Sequence, residues 1–216
     1  MRVEIWSDVV CPWCYIGKRR FETALARFEH ADAVEVVWRS FELDPDAPVR
    51  RGPTAEHLAR KYGWTPEQVA ASHARLTGLA AAEGLEYRLD ETQGGNTFPA
   101  HQLLHLAAEQ GLQDALKERF LRAYFSEGEP IGEAELLVRL AAGVGVEGAA
   151  AALEAGTYAD AVRADEREAR LLGIHAVPFF VVDRYYGVEG AQPPEVIGRA
   201  LDEAWSAASA ARATES

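Results

Sequence analysis

The chain carries two cysteines in 216 residues, and they stand together as Cys11-Pro12-Trp13-Cys14. A strand-like run, Val3-Glu4-Ile5-Trp6, precedes them, and apolar residues at helical spacing follow from Tyr15 to Phe28. Cys11 therefore lies at the mouth of a helix, where backbone N–H groups are free and the dipole favours an anion. Thiolate, not thiol, attacks disulfides. Cys14 lies inside the first turn, facing the sheet, close enough to resolve a mixed disulfide within the chain. That is a redox dithiol.

Metal binding is the competing chemistry for a CxxC. Structural zinc normally takes four ligands, and the chain has no second cysteine pair to supply them. His101 and His105 stand four apart on one helix face, a metal-compatible spacing, but Gln102 occupies the place of the glutamate in HExxH. The histidines read as structural or solvated. No metal and no bound cofactor are expected beyond the redox-active disulfide itself.

The elements that must position the dithiol are marked along the chain. Strand (residues 2–7), helix (about 12–29) and strand (about 33–40) open it. Asp44-Pro45-Asp46-Ala47-Pro48 breaks the pattern, and from about Thr54 to Leu172 nearly everything reads as helix. Thr65-Pro66-Glu67-Gln68 spells a capping box for a helix ending near Gly84. Thr97 is expected to cap a helix through Gln110, stopped by Gly111. Further helices are expected over about 112–126, 133–142, 147–155 and 158–172. β pattern returns at Val177 to Asp183 and Tyr185 to Val188, and Pro193-Pro194-Glu195 opens a last helix to about Ala208, with a frayed tail to Ser216. The layout is βαβ, a long helical block, then ββα. Because the block begins and ends inside one sheet, it reads as an insertion that forms a cleft with the sheet. The expected domains are 1–43 with 173–216, and an inserted 44–172.

Composition narrows the partners. Hydrophobic content of 48% and charged content of 26% describe an ordinary globular chain. A net charge of -12 argues against nucleic acid or an anionic membrane surface. No apolar stretch approaches the roughly 20 residues of a membrane span, and Met1 to Trp6 has no signal-peptide character. A cytoplasmic location is expected, where a lone cysteine pair is catalytic rather than a structural staple.

This arrangement resembles the thioredoxin fold in its DsbA-like version, an α/β fold with a large all-helical insertion. Within that group it resembles the FrnE-like branch, named for a protein of polyketide antibiotic biosynthesis. The matching residues are Ser7 to Gly17, Asn96-Thr97 with His101, Gly173 to Phe180, and Gly187 to Gln192. The resemblance implies that Cys11 is the exposed nucleophile and Cys14 the buried resolving thiol. It implies a cis-proline loop at Val177-Pro178 against the dithiol, with Pro12, Trp13, Val177, Pro178, Asn96 and His101 lining the substrate site.

Trp13 offers no charge to the thiolate, so a Cys11 pKa below the free value of ~8.5 but above the ~3.5 extreme is expected. The superfamily often places a buried carboxylate six residues before the nucleophile; here Ile5 stands there. Asp8, three before Cys11, is the nearest acid and the candidate proton relay, with His175 a second candidate beside Pro178.

The implied activity is thiol–disulfide exchange with a disulfide-containing protein or small molecule. A cellular thiol reductant or oxidant would recycle the pair, with a low-molecular-weight thiol as co-substrate and a homodimer as the one expected assembly. Two other readings share this fold. A glutathione-dependent isomerase or transferase of the 2-hydroxychromene-2-carboxylate isomerase or kappa-transferase type usually has serine at the nucleophile position, which Cys11 with Cys14 argues against. The other is a binding partner in polyketide tailoring, which the chain itself does not address.

Overall fold

Alternation along the first strand, β1 (Arg2–Ser7), sends Val3 and Ile5 to one layer and Glu4 and Trp6 to the other. The first pair packs against Phe21, Ala24 and Phe28 of α1 (Pro12–Arg27). After β2 (Glu35–Ser40) the chain enters its helical block. This comprises β3 (Gly52–Pro53), α2 (Thr54–Tyr62), α3 (Pro66–Ala82), β4 (Gln93–Gly94), α4 (Phe98–Glu109), α5 (Gln113–Glu127), α6 (Ala134–Gly143), α7 (Ala149–Ala155) and α8 (Ala159–Leu171). It then returns through β5 (Phe179–Val182), β6 (Tyr186–Glu189) and α9 (Pro194–Thr214). This computed structural model describes residues 1–214, with side chains through residue 210. The last helix runs beyond Ala208, and the frayed end expected at Ser216 lies outside the described residues.

The sheet order is β2-β1-β5-β6. β1 and β2 are parallel, with Ile5 opposite Trp38; β1 pairs antiparallel with β5, and β5 with β6. One face is covered by α1 and by Ile197 and Leu201 of α9. On the other, Trp6 packs with Ala169 of α8, Ile174 and Val181, and its indole donates to the Asp165 carbonyl at 3.0 Å. A larger apolar core joins α1 to α3 through α7 by way of Tyr15, Ile16, Leu103 and Phe120. The β2 edge is closed by α5. The Gln113 amide accepts from the Trp38 N–H at 3.0 Å and donates to its carbonyl at 2.9 Å, as a neighbouring strand would.

Local chemistry sets the block's boundaries. The capping box at Thr65 and Gln68 is formed in both directions. Thr97 stands at the start of α4 but makes no side-chain cap; the Asn96 side chain accepts from the Phe98 N–H at 2.9 Å in its place. The two-residue pairing of β3 with β4 is a departure from the all-helical reading of the block. Neither run shows alternation, because each contributes only a glycine and one neighbour to the ladder.

Candidate active site

Cys11 is the N-cap of α1, in extended conformation, with Pro12 at the first helical position. Its carbonyl accepts from the Cys14 N–H at 3.0 Å, which sets the second thiol one turn along. Both thiols are free. The Val177–Pro178 peptide is cis, and the Val177 carbonyl accepts from the Cys11 thiol at 3.4 Å. The loop is held against α1 by close packing, for a methyl group added at Gly17 would stand 2.7 Å from the Pro178 ring. The Tyr87 hydroxyl donates to the Pro12 carbonyl at 2.7 Å, tying the dipeptide between the thiols to the helical block.

A cavity of about 430 Å3 opens on this junction. Cys11, Pro12, Trp13, His175 and Val177 line one side; Tyr62, Trp64, Leu76 and Phe125 line the other, and Arg51, His57 and Lys61 stand at its rim. Tyr62 and Trp64 stack at 4.9 Å. Cys11 is only 3% exposed, so the expected exposed nucleophile is reached through the cavity alone. Cys14 lies behind it, off the cavity wall.

Three expected lining residues, Asn96, His101 and Pro178, are elsewhere. Asn96 donates to the carbonyls of Pro45 and Ala47 at 3.2 and 3.1 Å, clamping the segment that follows β2. His101 is fully buried behind the cavity wall, 3.3 Å from the Asp8 carboxylate. His101 thus joins α4 to the segment after β1, while the bonds of Asn96 stay within the inserted block. Pro178 supports the loop from behind and Val177 faces the cavity. His175 is exposed at the mouth. His105 stands 3.1 Å from Asp165, and no cluster of three or more metal-ligating side chains occurs among the described residues. Arg19 and Arg20 are paired with acids, Arg19 with Glu22 and Glu118, Arg20 with Glu83.

The electrostatics invert the expected order of the thiols. The neighbouring Cys14 sulfur, burial and the negative charge of Asp8 push the Cys11 thiol well above its ordinary pKa. Burial also opposes charge on Cys14, but the thiol of Cys11, the Lys117 ammonium, the Ser7 hydroxyl and the Asp8 backbone outweigh it and pull Cys14 down. The pair thus shares one proton, held on the sulfur that faces the cavity. Asp8 is buried too. His101, the Leu43 N–H at 2.8 Å and Lys117 overcome its desolvation and hold it below the usual carboxylate range. It is held as the anion, engaged by His101 and the Leu43 N–H.

Lys117 and Ser7 are the site residues that sequence reasoning missed. Lys117 reads locally as one charge in Lys117-Glu118-Arg119, a solvated face. The available signal was its register, since Lys117, Phe120, Leu121 and Tyr124 fall at helical spacing on one buried stripe.

Residues 2–202 match the DSBA-like thioredoxin domain. The chain belongs to the DsbA-like thioredoxin family. The DsbA-like protein is 52% identical to the probable DsbA oxidoreductase SCO1869 of Streptomyces coelicolor, over 95% of this chain and 90% of that one, with a TM-score of 0.90. It is 29% identical to YwbO of Bacillus subtilis over 94% of this chain and 96% of its relative. The cytosolic disulfide reductase DsbM of Pseudomonas aeruginosa, solved with GSH, shares the fold at a TM-score of 0.62 and 22% identity, over 98% and 100% of the two chains. The family's members are thiol–disulfide oxidoreductases acting on disulfide substrates, and this chain is an enzyme of that class.

Proposed function

We propose that this DsbA-like enzyme is a cytoplasmic, FrnE-type oxidoreductase in which Cys11 captures a small or extended disulfide inside the cavity and Cys14 releases it. The observation that carries the reading is the asymmetry of the pair: one sulfur on the cavity wall against the Val177 carbonyl, the other directly behind it. A proton passes from Cys11 to the adjacent Cys14, freeing the Cys11 thiolate. That thiolate attacks one substrate sulfur, and the other leaves with the bonding electrons and takes a proton from solvent. Cys14 then loses that proton to solvent and attacks Cys11. The Cys11–Cys14 disulfide forms and the second substrate thiol departs.

The substrate's size follows from access. A cavity of about 430 Å3 admits a small molecule or an unfolded peptide loop, whereas a rigid disulfide on a folded domain has no approach to Cys11. Glutathione bound to DsbM motivates a thiol tripeptide as co-substrate, and Lys61 in the cavity lining suits one of its carboxylates. Val177 offers its backbone as the edge on which such a peptide pairs. The sheet with α1 and α9, residues 1–43 and 173–216, supplies the thiols, and the inserted residues 44–172 supply the opposite wall. Two thiols in this relation speak against the isomerase chemistry.

Trapping tests the assignment. Cys11→Ser should abolish reduction of oxidised glutathione while the protein stays folded. Cys14→Ser should accumulate a mixed disulfide on Cys11, read by intact mass and peptide mapping. Turnover by Cys11→Ser, or capture at Cys14 in the wild type, overturns it.

A further inference from the structure

Lys117 is fully buried, yet among the described residues no carboxylate lies within ion-pair distance of it. Its ammonium donates to the Ser7 carbonyl at 3.4 Å, at the end of the strand that delivers the dithiol. It stands 5.5 Å over the Trp38 ring, which Lys18 approaches from another side at 5.9 Å. Its place is built. Gln113 fastens the start of α5 to the β2 edge, Asp114 accepts from the Trp38 indole at 2.9 Å, and Lys117 follows one turn on. An unpaired cation inside a protein is costly. The charge of Lys117 acts on the buried groups around it, the dithiol and the Asp8 carboxylate.

We propose that Lys117 is the buried countercharge and proton holder of Cys14, filling from the inserted domain the role that Ile5 leaves vacant in the sheet. In the reduced protein the Cys14 proton resides on Lys117, giving a thiolate and an ammonium. When Cys14 attacks Cys11, the S–S bond to substrate breaks, the leaving sulfur takes its proton from solvent, and the thiolate charge vanishes into the new disulfide. Lys117 then faces no sulfur anion and gives its proton up. On reduction the steps reverse, with both electrons coming from the incoming thiol.

The charges around the amine agree. Burial pushes Lys117 down to about 8, against the pull of Cys14, Asp8 and Cys11; Lys18 lowers it further. From α4, His101 is engaged on Asp8, and Lys18 is occupied by Glu22, Asp114 and Glu118. The sulfur anion is thus the one neighbouring charge that the redox cycle creates and removes.

This inference rests on the dithiol reading above, and the experiment separates the two. The chain has three lysines, Lys18, Lys61 and Lys117, so 13C-labelled lysine resolves each side chain by NMR. In the wild-type protein the Lys117 midpoint should fall by at least one pH unit on oxidation, while that of Lys61 stays fixed. Lys117→Met, which assigns the signal, should shift the equilibrium with glutathione at least tenfold toward the protein disulfide and remove the thiolate absorbance at pH 7. An identical Lys117 midpoint in both redox states overturns the proposal, and the wild-type measurement stands even where the variant does not fold. If no Cys11–Cys14 disulfide forms at all, it is the dithiol reading that falls.

Discussion

Replacing Gly17 by alanine tests whether the active-site helix and the Pro178 loop are packed in contact. An added Cβ would lie 2.7 Å from Pro178 Cγ and 3.5 Å from Ala191 Cβ. The proline ring is fixed to its backbone, so relief requires the loop to move, and the Val177 carbonyl on Cys11 moves with it. Overpacking of this kind costs about 1–3 kcal/mol. Alanine also gains about 1 kcal/mol over glycine in a helix interior, and the two effects oppose. Gly78 separates them, because it lies within α3 with nothing inside 4 Å of an added Cβ. Gly78→Ala should therefore be stabilised by the propensity gain alone. The difference between the two variants in urea unfolding is the steric cost, expected at about 1–3 kcal/mol. Disulfide exchange should slow in Gly17→Ala and be unchanged in Gly78→Ala. Equal stabilisation of both would refute the contact and the positioning argument built on it.

Two further predictions use buried carboxylates that respond to pH in opposite directions. Burial and the neighbouring Glu166 carboxyl raise Glu42 to about 8, with Arg163 opposing, so its folded pKa lies above its unfolded one. The stability it supplies is present at pH 4 and lost as pH rises toward 8, a tenfold difference in proton affinity between the folded and unfolded chains being worth about 1.4 kcal/mol. Glu42→Gln should match the wild type at pH 5 and exceed it at pH 9 in thermal unfolding; a gap independent of pH refutes this. Asp165 runs the other way. Burial opposes its charge, but His105, the Ser40 N–H at 2.9 Å and Arg39 at 2.9 Å hold its carboxyl below the ordinary range. Asp165→Ala should cost about 3–5 kcal/mol at pH 7, as breaking a buried pair does. That cost should shrink as pH falls below about 4, where the unfolded chain takes up its proton and the folded carboxylate follows only at lower pH; an acid-independent cost would remove the charge argument.

What the sequence made legible was what local chemistry decides. The dithiol at a strand–helix junction, the capping box at Thr65 and Gln68, and the return of β pattern at Phe179 each depend on residues within a few positions of one another. Lys117 lies 103 positions from Cys14 in the chain, and its role depends on α5 docking at the β2 edge, a pairing that no periodicity encodes. Asn96 and His101 failed in the reverse direction. Resemblance assigned them to the pocket by position, while in this chain their polar atoms hold the Pro45 and Ala47 carbonyls and Asp8.

The inverted acidity of the two thiols has a cause in relative magnitudes. A helix N-terminus favours an anion by about 0.3–1 kcal/mol at an exposed site and up to ~2 kcal/mol in a partly buried one, comparable with the roughly 1.4 kcal/mol of a tenfold change in acidity. The dipole therefore competes with the full charges and the second thiol nearby rather than deciding alone which sulfur ionises. The neighbouring Cys14 sulfur and burial raise Cys11, with Asp8 adding to them, while the Cys11 thiol and Lys117 lower Cys14 against its burial. Both effects move the anion to the sulfur away from the cavity and leave the proton on the one that meets substrate. The resting enzyme thereby keeps its thiolate out of reach of whatever enters, and attack awaits the transfer of one proton across the pair. Cys11 in the wild type should accordingly react with iodoacetamide more slowly than the thiolate absorbance of the pair implies, because the absorbing sulfur is Cys14.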